Sequence, residues 1–268
     1  MAGWIMGMQM MGAKRRFRLV AVSLLLALAG PVLAQAYTSP KPVLVAAAAN
    51  MQSALTELVP LFERGHRARV SLTLGSSATL VRQIQQGLPA ELFLSADEDF
   101  VFRLADAGLT QDRGVVYATG RLVLLVPSGS RLVLDPGLSG LKAGLSEVRK
   151  FAIANPELAP YGKAAVQVLQ MQALWPGLQG RLVLGDNIAQ TTQFVSTGAA
   201  EAGITALSLA LAPEVAARTR FVLISDVLHG PVRQRMVLLK NAGPGARAFH
   251  DFLQSPDARA VLARYGFR

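Results

Sequence analysis

Three uncharged hydrogen-bond donors, Asn50, Ser77 and Tyr161, stand where an apolar run gives way to small or polar residues and then to a helical pattern. The arrangement occurs four times. Val43 to Ala48, followed by Ala49-Asn50, leads into a helix from Met51; Leu72-Thr73-Leu74-Gly75-Ser76-Ser77 leads into Leu80 to Gln86. Ala152-Ile153-Ala154-Asn155 runs through Pro160-Tyr161-Gly162 into Lys163 to Met171, and Leu182-Val183-Leu184-Gly185-Asp186-Asn187-Ile188 into Ala189 to Ser196. At the carboxyl ends of strands in an open α/β sheet, helix N-termini present unsatisfied N–H groups and the positive end of the helix dipole. Four such ends facing one cleft make an anion site with no charged side chain. Asn50, Ser77 and Tyr161 add donors, and Ala49, Gly75 and Gly162 are small enough for close backbone approach. One Asn or Ser at a helix start is ordinarily a cap, and Asn50 is a natural one for the Met51 helix. The repetition points to anion binding in general.

Enzyme chemistry finds little support. The patterns G-x-S-x-G, G-x-x-x-x-G-K-[ST] and G-x-G-x-x-G are all missing, so the nucleophile elbow, the phosphate loop and the dinucleotide fingerprint are too. His66, His229 and His250 are far apart and lack ligand spacing, and without cysteine there is neither a disulfide framework nor a thiolate metal site. Glu91, Asp97, Glu98 and Asp99 could do acid–base work, but they read more simply as a surface turn and the acidic start of a helix. Asp186 and Asn187 read as turn or cap residues.

The elements that must position these donors alternate along the chain. Apolar runs at Val43 to Ala48, Val70 to Leu74, Leu92 to Ser95, Leu122 to Val126, Phe151 to Ile153, Leu182 to Leu184, Phe221 to Ile224 and Met236 to Leu239 are separated by helical patterns. Strands so continuously apolar belong to a parallel sheet covered on both faces, which makes the class α/β. Met51, Ala54, Leu55, Leu58, Val59 and Phe62 form one stripe, interrupted by Pro60, which should kink the helix. Gly108 marks the end of a helix from Asp97, and two helices, Gly245 to Leu253 and Pro256 to Arg264, close the chain. Two stretches look like crossings between lobes, Tyr117 to Arg121 around Gly120 and His229 to Arg233 around Gly230-Pro231.

The first 36 residues read as a secretory signal, with Lys14, Arg15, Arg16 and Arg18 ahead of an apolar stretch and an Ala34-Gln35-Ala36 cleavage site. Cleavage is expected after Ala36, or alternatively after Ala34. The leader takes four of the 27 Lys and Arg and none of the 17 Asp and Glu, leaving a formal charge of +6. These charges are scattered singly, without aromatic interleaving, which argues against a nucleic-acid surface while still drawing in an anion.

In the segments AAAANMQSAL (46 to 55), GSSATLVRQIQQGLPAELFLSAD (75 to 97), ANPELAPYGKAA (154 to 165), GDNIAQTTQFVSTGAAEAGITALS (185 to 208) and ARYGF (263 to 267), the chain closely resembles the periplasmic molybdate-binding proteins of ABC importers. The resemblance covers about Val43 to Phe267. It implies a type II periplasmic-binding-protein fold, two α/β lobes joined by two crossover strands with a ligand cleft between them. The lobes would be 37–118 with 229–268, and 119–228. It further implies a non-enzymatic monomer, without cofactor, that binds molybdate or tungstate in the periplasm and delivers it to a membrane permease. Residue by residue, the oxyanion contacts fall on Ala49, Asn50, Ser77, Tyr161 and the backbone of Ile188, with no direct metal ligand. Some members have Tyr where this chain has Ala206; here Tyr161 would supply the hydroxyl from the opposite side. Sulfate or another tetrahedral oxyanion is the nearer alternative ligand, and an exported hydrolase the distant one.

Overall fold

The computed structural model describes residues 41–268, so the signal segment and residues 37–40 lie outside the described residues. Ten strands form two five-stranded sheets. The first has the order β2-β1-β3-β10-β4, with β1 Val43–Ala48, β2 Val70–Gly75, β3 Leu92–Ser95, β4 Val115–Gly120 and β10 Val232–Leu238. The second has the order β7-β6-β8-β5-β9, with β5 Leu122–Pro127, β6 Phe151–Ala154, β7 Leu182–Gly185, β8 Ala202–Ala206 and β9 Thr219–Leu223. The chain passes between the sheets twice, at Arg121 and between β9 and β10.

Each sheet is covered on both faces, and the two-residue period of a strand divides its side chains between two cores. Val43, Val45 and Ala47 pack with the Gln52–Gly65, Pro244–Phe252 and Pro256–Arg264 helices, while Ala46 packs with the Ser77–Gln85 and Asp99–Asp106 helices. In β5, Leu122, Leu124 and Val126 face one core and Val123 and Leu125 the other. The expectation of apolar, doubly covered strands holds, but the sheets are mixed. β1 pairs in parallel with β2 and β3, and β6 with β7 and β8, whereas β10 runs antiparallel to β3 and β4, and β5 antiparallel to β8 and β9. Two strands, β4 and β8, lie outside the apolar runs read from sequence. Small and polar residues dilute both, as in Ala-Gly-Ile-Thr-Ala of β8.

The Gln52–Gly65 helix continues through Pro60. Its Phe62 is fully buried and forms an aromatic cluster, with ring centroids 4.2 Å from His66, 4.9 Å from Phe249 and 5.5 Å from Phe252. This cluster joins the start of the chain to its end. The terminus is further fixed where Thr119 N donates to Arg268 O at 2.6 Å and Arg268 N to Thr119 O at 3.0 Å. Replacing Phe62 by Ala should destabilise the protein by about 3–5 kcal/mol through lost burial and the cavity left behind. A denaturant titration checks this, and a loss under about 1 kcal/mol would mean that the site collapses to fill the space.

Candidate functional site

The parallel strands aim four chain segments at one region. β1 ends at Ala48 and passes into a 3-10 turn, Ala49–Met51; β2 ends at Gly75, and the Ser77–Gln85 helix starts two residues later. From the second sheet, β6 leads to the Pro160–Met171 helix and β7 to the Ile188–Ser196 helix. Three of these helices begin earlier than their apolar spacing suggests, because small and polar residues form the first turn. Proline supports this at Pro160, where its missing N–H costs no hydrogen bond.

Asn50 is not the expected cap. It lies inside the 3-10 turn, the following helix has no side-chain cap, and the amide points into the protein at 0% exposure. Ala49, Ser77, Tyr161 and Ile188 are buried as well. Asn187 does cap, its Oδ1 accepting from Ala189 N at 3.0 Å and Gln190 N at 3.1 Å. The N–H of Ile188, at the first helical position, has no intrahelical acceptor.

Ala49, Tyr161 and Ile188 share one buried cluster with Ala96, although Ala49 and Ala96 belong to the first sheet's side and the others to the second's. Ser77 joins this cluster through Ala96, whose N–H donates to Ser77 Oγ at 3.0 Å. Asn50 joins it through a residue that the sequence reading missed, Gln234 of β10. Asn50 Nδ2 donates to Gln234 Oε1 at 3.0 Å, and Gln234 Nε2 donates to Tyr161 Oη at 3.1 Å. Tyr117, a second omission, donates its hydroxyl to the same Oε1 at 2.9 Å. The structure therefore brings all five expected positions together. Backbone contacts close the region: Ser208 Oγ donates to Asn50 O at 2.8 Å and Ala78 N to Leu158 O at 3.1 Å.

The hydroxyls are engaged in a particular sense. Ser77 Oγ and Tyr161 Oη each accept an N–H, and among the described residues neither donates its own proton. Burial pushes the Tyr161 hydroxyl above the ordinary tyrosine range, against the smaller opposing effect of the Gln234 hydrogen bond, so it holds its proton. Burial also raises Tyr117 well above that range, with Tyr161 adding to the effect. Asn50 Oδ1 is buried without a hydrogen-bond partner among the described residues. Such an orphan costs about 1–3 kcal/mol and calls for an explanation where it persists.

Room for this arrangement depends on Gly120. A Cβ there would lie 2.1 Å from Tyr161 Oη and 2.7 Å from Gln234 Nε2. Gly162 likewise lets the Pro160 helix start against β6, since its Cβ would fall 2.2 Å from Ala154 O.

Three of the carboxylates are occupied elsewhere. Asp97 Oδ1 accepts from Phe100 N at 3.1 Å and Ser95 Oγ at 3.2 Å, and burial raises its pKa despite both bonds. Glu98 pairs with Arg235 at 2.6 Å and Arg233 at 2.9 Å, and Glu91 accepts from Gly243 N. Among the described residues no group of three His, Asp or Glu could hold a metal ion.

Comparison with known proteins follows the same lines. The profile of the bacterial extracellular solute-binding protein family matches residues 43–268. The molybdate-binding protein ModA of Rhodobacter capsulatus is 35% identical over 228 residues, 84% of this chain and 87% of that protein. Among solved structures, the periplasmic molybdate-binding protein of Azotobacter vinelandii superposes with a TM-score of 0.76 at 29% identity, covering 84% of this chain and 98% of the other. The sulfate-binding protein SubI of Mycobacterium tuberculosis shares the fold, with a TM-score of 0.70 at 18% identity over 85% of this chain and 86% of the other. With buried donors gathered at strand ends and a match that runs from the first strand to the last residue, the chain belongs to the bacterial extracellular solute-binding proteins and, within them, to the molybdate-binding proteins.

Proposed function

We propose that this chain captures molybdate, and equally tungstate, in the periplasm and delivers it to the membrane permease of an ABC importer, acting as a monomer without cofactor or catalysis. The ligand is held by the side chains of Asn50, Ser77 and Tyr161 and by the backbone at Ala49 and Ile188. The lobes that close over it are 37–118 with 229–268, and 119–228, a division supported by the two strand sets and the two passages between them.

The observation that carries this reading is the polarity of the two hydroxyls. Molybdate at neutral pH has no proton and can only accept hydrogen bonds. Ser77 and Tyr161 each have their oxygen occupied by a protein N–H and a proton left over. With the free N–H of Ile188 and the second hydrogen of Asn50 Nδ2, the donor set matches an acceptor-only anion. Asp97, Glu98 and Glu91 are engaged with other partners. Hydrogen bonds to a charged group contribute roughly 1.5–3 kcal/mol each. About six of them, less desolvation and closure, give a dissociation constant from about micromolar to nanomolar, or about −8 to −12 kcal/mol. Sulfate has the same charge and shape, so cavity size must reject it. Titration calorimetry and native mass spectrometry with molybdate, tungstate and sulfate test the proposal; preference for sulfate would replace it.

Replacing Asn50 by Asp should nearly abolish molybdate binding, since a carboxylate then faces the dianion and two N–H donors are lost. Calorimetry showing wild-type affinity would remove Asn50 from the site. Tyr161→Phe should weaken binding by about 1–3 kcal/mol. The tyrosine donates while protonated, and its raised pKa keeps it so. Wild-type affinity should therefore stay flat from about pH 6 to about pH 9, below the ordinary tyrosine range; a fall within that window would assign the ligand contact to some other, titrating group.

A further inference from the structure

Gln234 touches every side-chain donor of the site except Ser77, and nothing in the sequence motifs singles it out. It is fully buried in β10, where its amide meets Asn50 and Tyr117 from the first sheet and Tyr161 from the second. The strand register slips at this point. Gln234 lies opposite Ala118 and Arg235 opposite Val116, so Tyr117 has no opposite number. A bulge of this kind re-aims the side chain it leaves unpaired, and Tyr117 Oη reaches Gln234 Oε1.

A primary amide has one accepting end and one donating end. Oε1 here receives two donors, Asn50 Nδ2 and Tyr117 Oη, so Nε2 is the end left for Tyr161. Tyr161 must then accept from Gln234 and turn its own proton elsewhere. Asn50 is pinned as well. With Gln234 oriented as it stands, turning the Asn50 amide over would bring two carbonyl oxygens together at Gln234, so the orphan persists. The Tyr161 hydroxyl and the Asn50 amide are thus set by one group that neither requires nor carries a charge.

We propose that Gln234 is a positioning and specificity residue: its amide turns the Tyr161 proton and one Asn50 N–H toward the ligand, and so selects an oxyanion without a proton of its own. This rests on the oxyanion reading above. The residue acts through Tyr161 and Asn50 and need not touch the ligand.

Two variants test it. Gln234→Met keeps the volume and removes both ends of the amide. Its molybdate affinity should fall roughly tenfold, and the same change made in Tyr161→Phe should cost clearly less than about tenfold, because the share of the loss that runs through Tyr161 is already gone and only the share through Asn50 remains. Gln234→Glu replaces the donating end by an acceptor, so Tyr161 spends its proton on the carboxylate. Its affinity should drop at least a hundredfold at pH 8 and recover as the buried carboxyl takes up a proton toward pH 6, while the wild-type profile stays flat. Independent, multiplying losses in the double variant, or a flat profile for Gln234→Glu, would overturn the assignment. Should Gln234→Glu fail to fold, the double-variant comparison decides. Wild-type protein that retains sulfate but not molybdate would sink the molybdate reading alone, and the same comparison is then made with sulfate.

Discussion

A hydroxyl gives its one proton to the nearest acceptor, and the site is organised by leaving Ser77 and Tyr161 without one among the described residues. Each oxygen is met instead by a fixed N–H, from Ala96 and from Gln234. These N–H groups have opposite origins. One is backbone at the end of β3, rigid because the strand is rigid; the other is a side chain that three neighbours hold in place. Burial strengthens both arrangements, since a hydrogen bond gains electrostatically in a medium of low dielectric and a misdirected dipole there becomes costly.

The mixed sheet follows from the same requirement. Parallel strands place their carboxyl ends together, which is why Asn50, Ser77, Tyr161 and Ile188 can converge. Such strands cannot bring the beginning of another strand to that edge, but an antiparallel one can. β10 runs against β3 with Arg235 opposite Ser95, so its first residues lie where β3 finishes, and Gln234 arrives at the site from the reverse direction. β4, the other neighbour of β10, ends at Gly120, the residue whose missing side chain leaves space for Tyr161 and Gln234. The passage from one sheet to the other therefore lies beside the polar network, and any change in how the sheets sit must be felt there.

Much of this was legible in the residues. All eight apolar runs begin within four residues of an observed strand start, and six of them on it, because doubly covered strands leave few polar positions to blur the pattern. β4 and β8 escaped since Gly120, Thr119, Gly203 and Thr205 dilute their hydropathy; their strand character comes from pairing with neighbours, a tertiary effect. The candidate site residues were readable where they stand at helix starts, as Ser77 and Ile188 do. Asn50 shows the limit, because an Asn before a helix reads as a cap whether or not its amide turns inward. Gln234 was hidden for another reason. The alternation of Val232, Gln234 and Met236 puts it on an inward face, a signal present in the sequence, yet a lone Gln in a strand has no local partner to betray its purpose. Its three partners are 73, 117 and 184 residues away.

On the proposed reading, the network gives selectivity without countercharge. A lysine or arginine in the site would attract any anion, protonated or not, and would hold the protein's own carboxylates as well. Neutral donors discriminate more sharply. An anion that keeps a proton, as phosphate does near neutrality, must find an acceptor for it, and the hydroxyl oxygens of Ser77 and Tyr161 each already accept one N–H. Asn50 Oδ1, the site's unpartnered side-chain oxygen among the described residues, belongs to an amide held by its other end, so it cannot turn to follow an incoming proton without breaking its bond to Gln234. Long-range attraction is left to the mild positive charge of the whole chain, while on the proposed reading the two hydroxyls act against protonated anions and cavity size against sulfate.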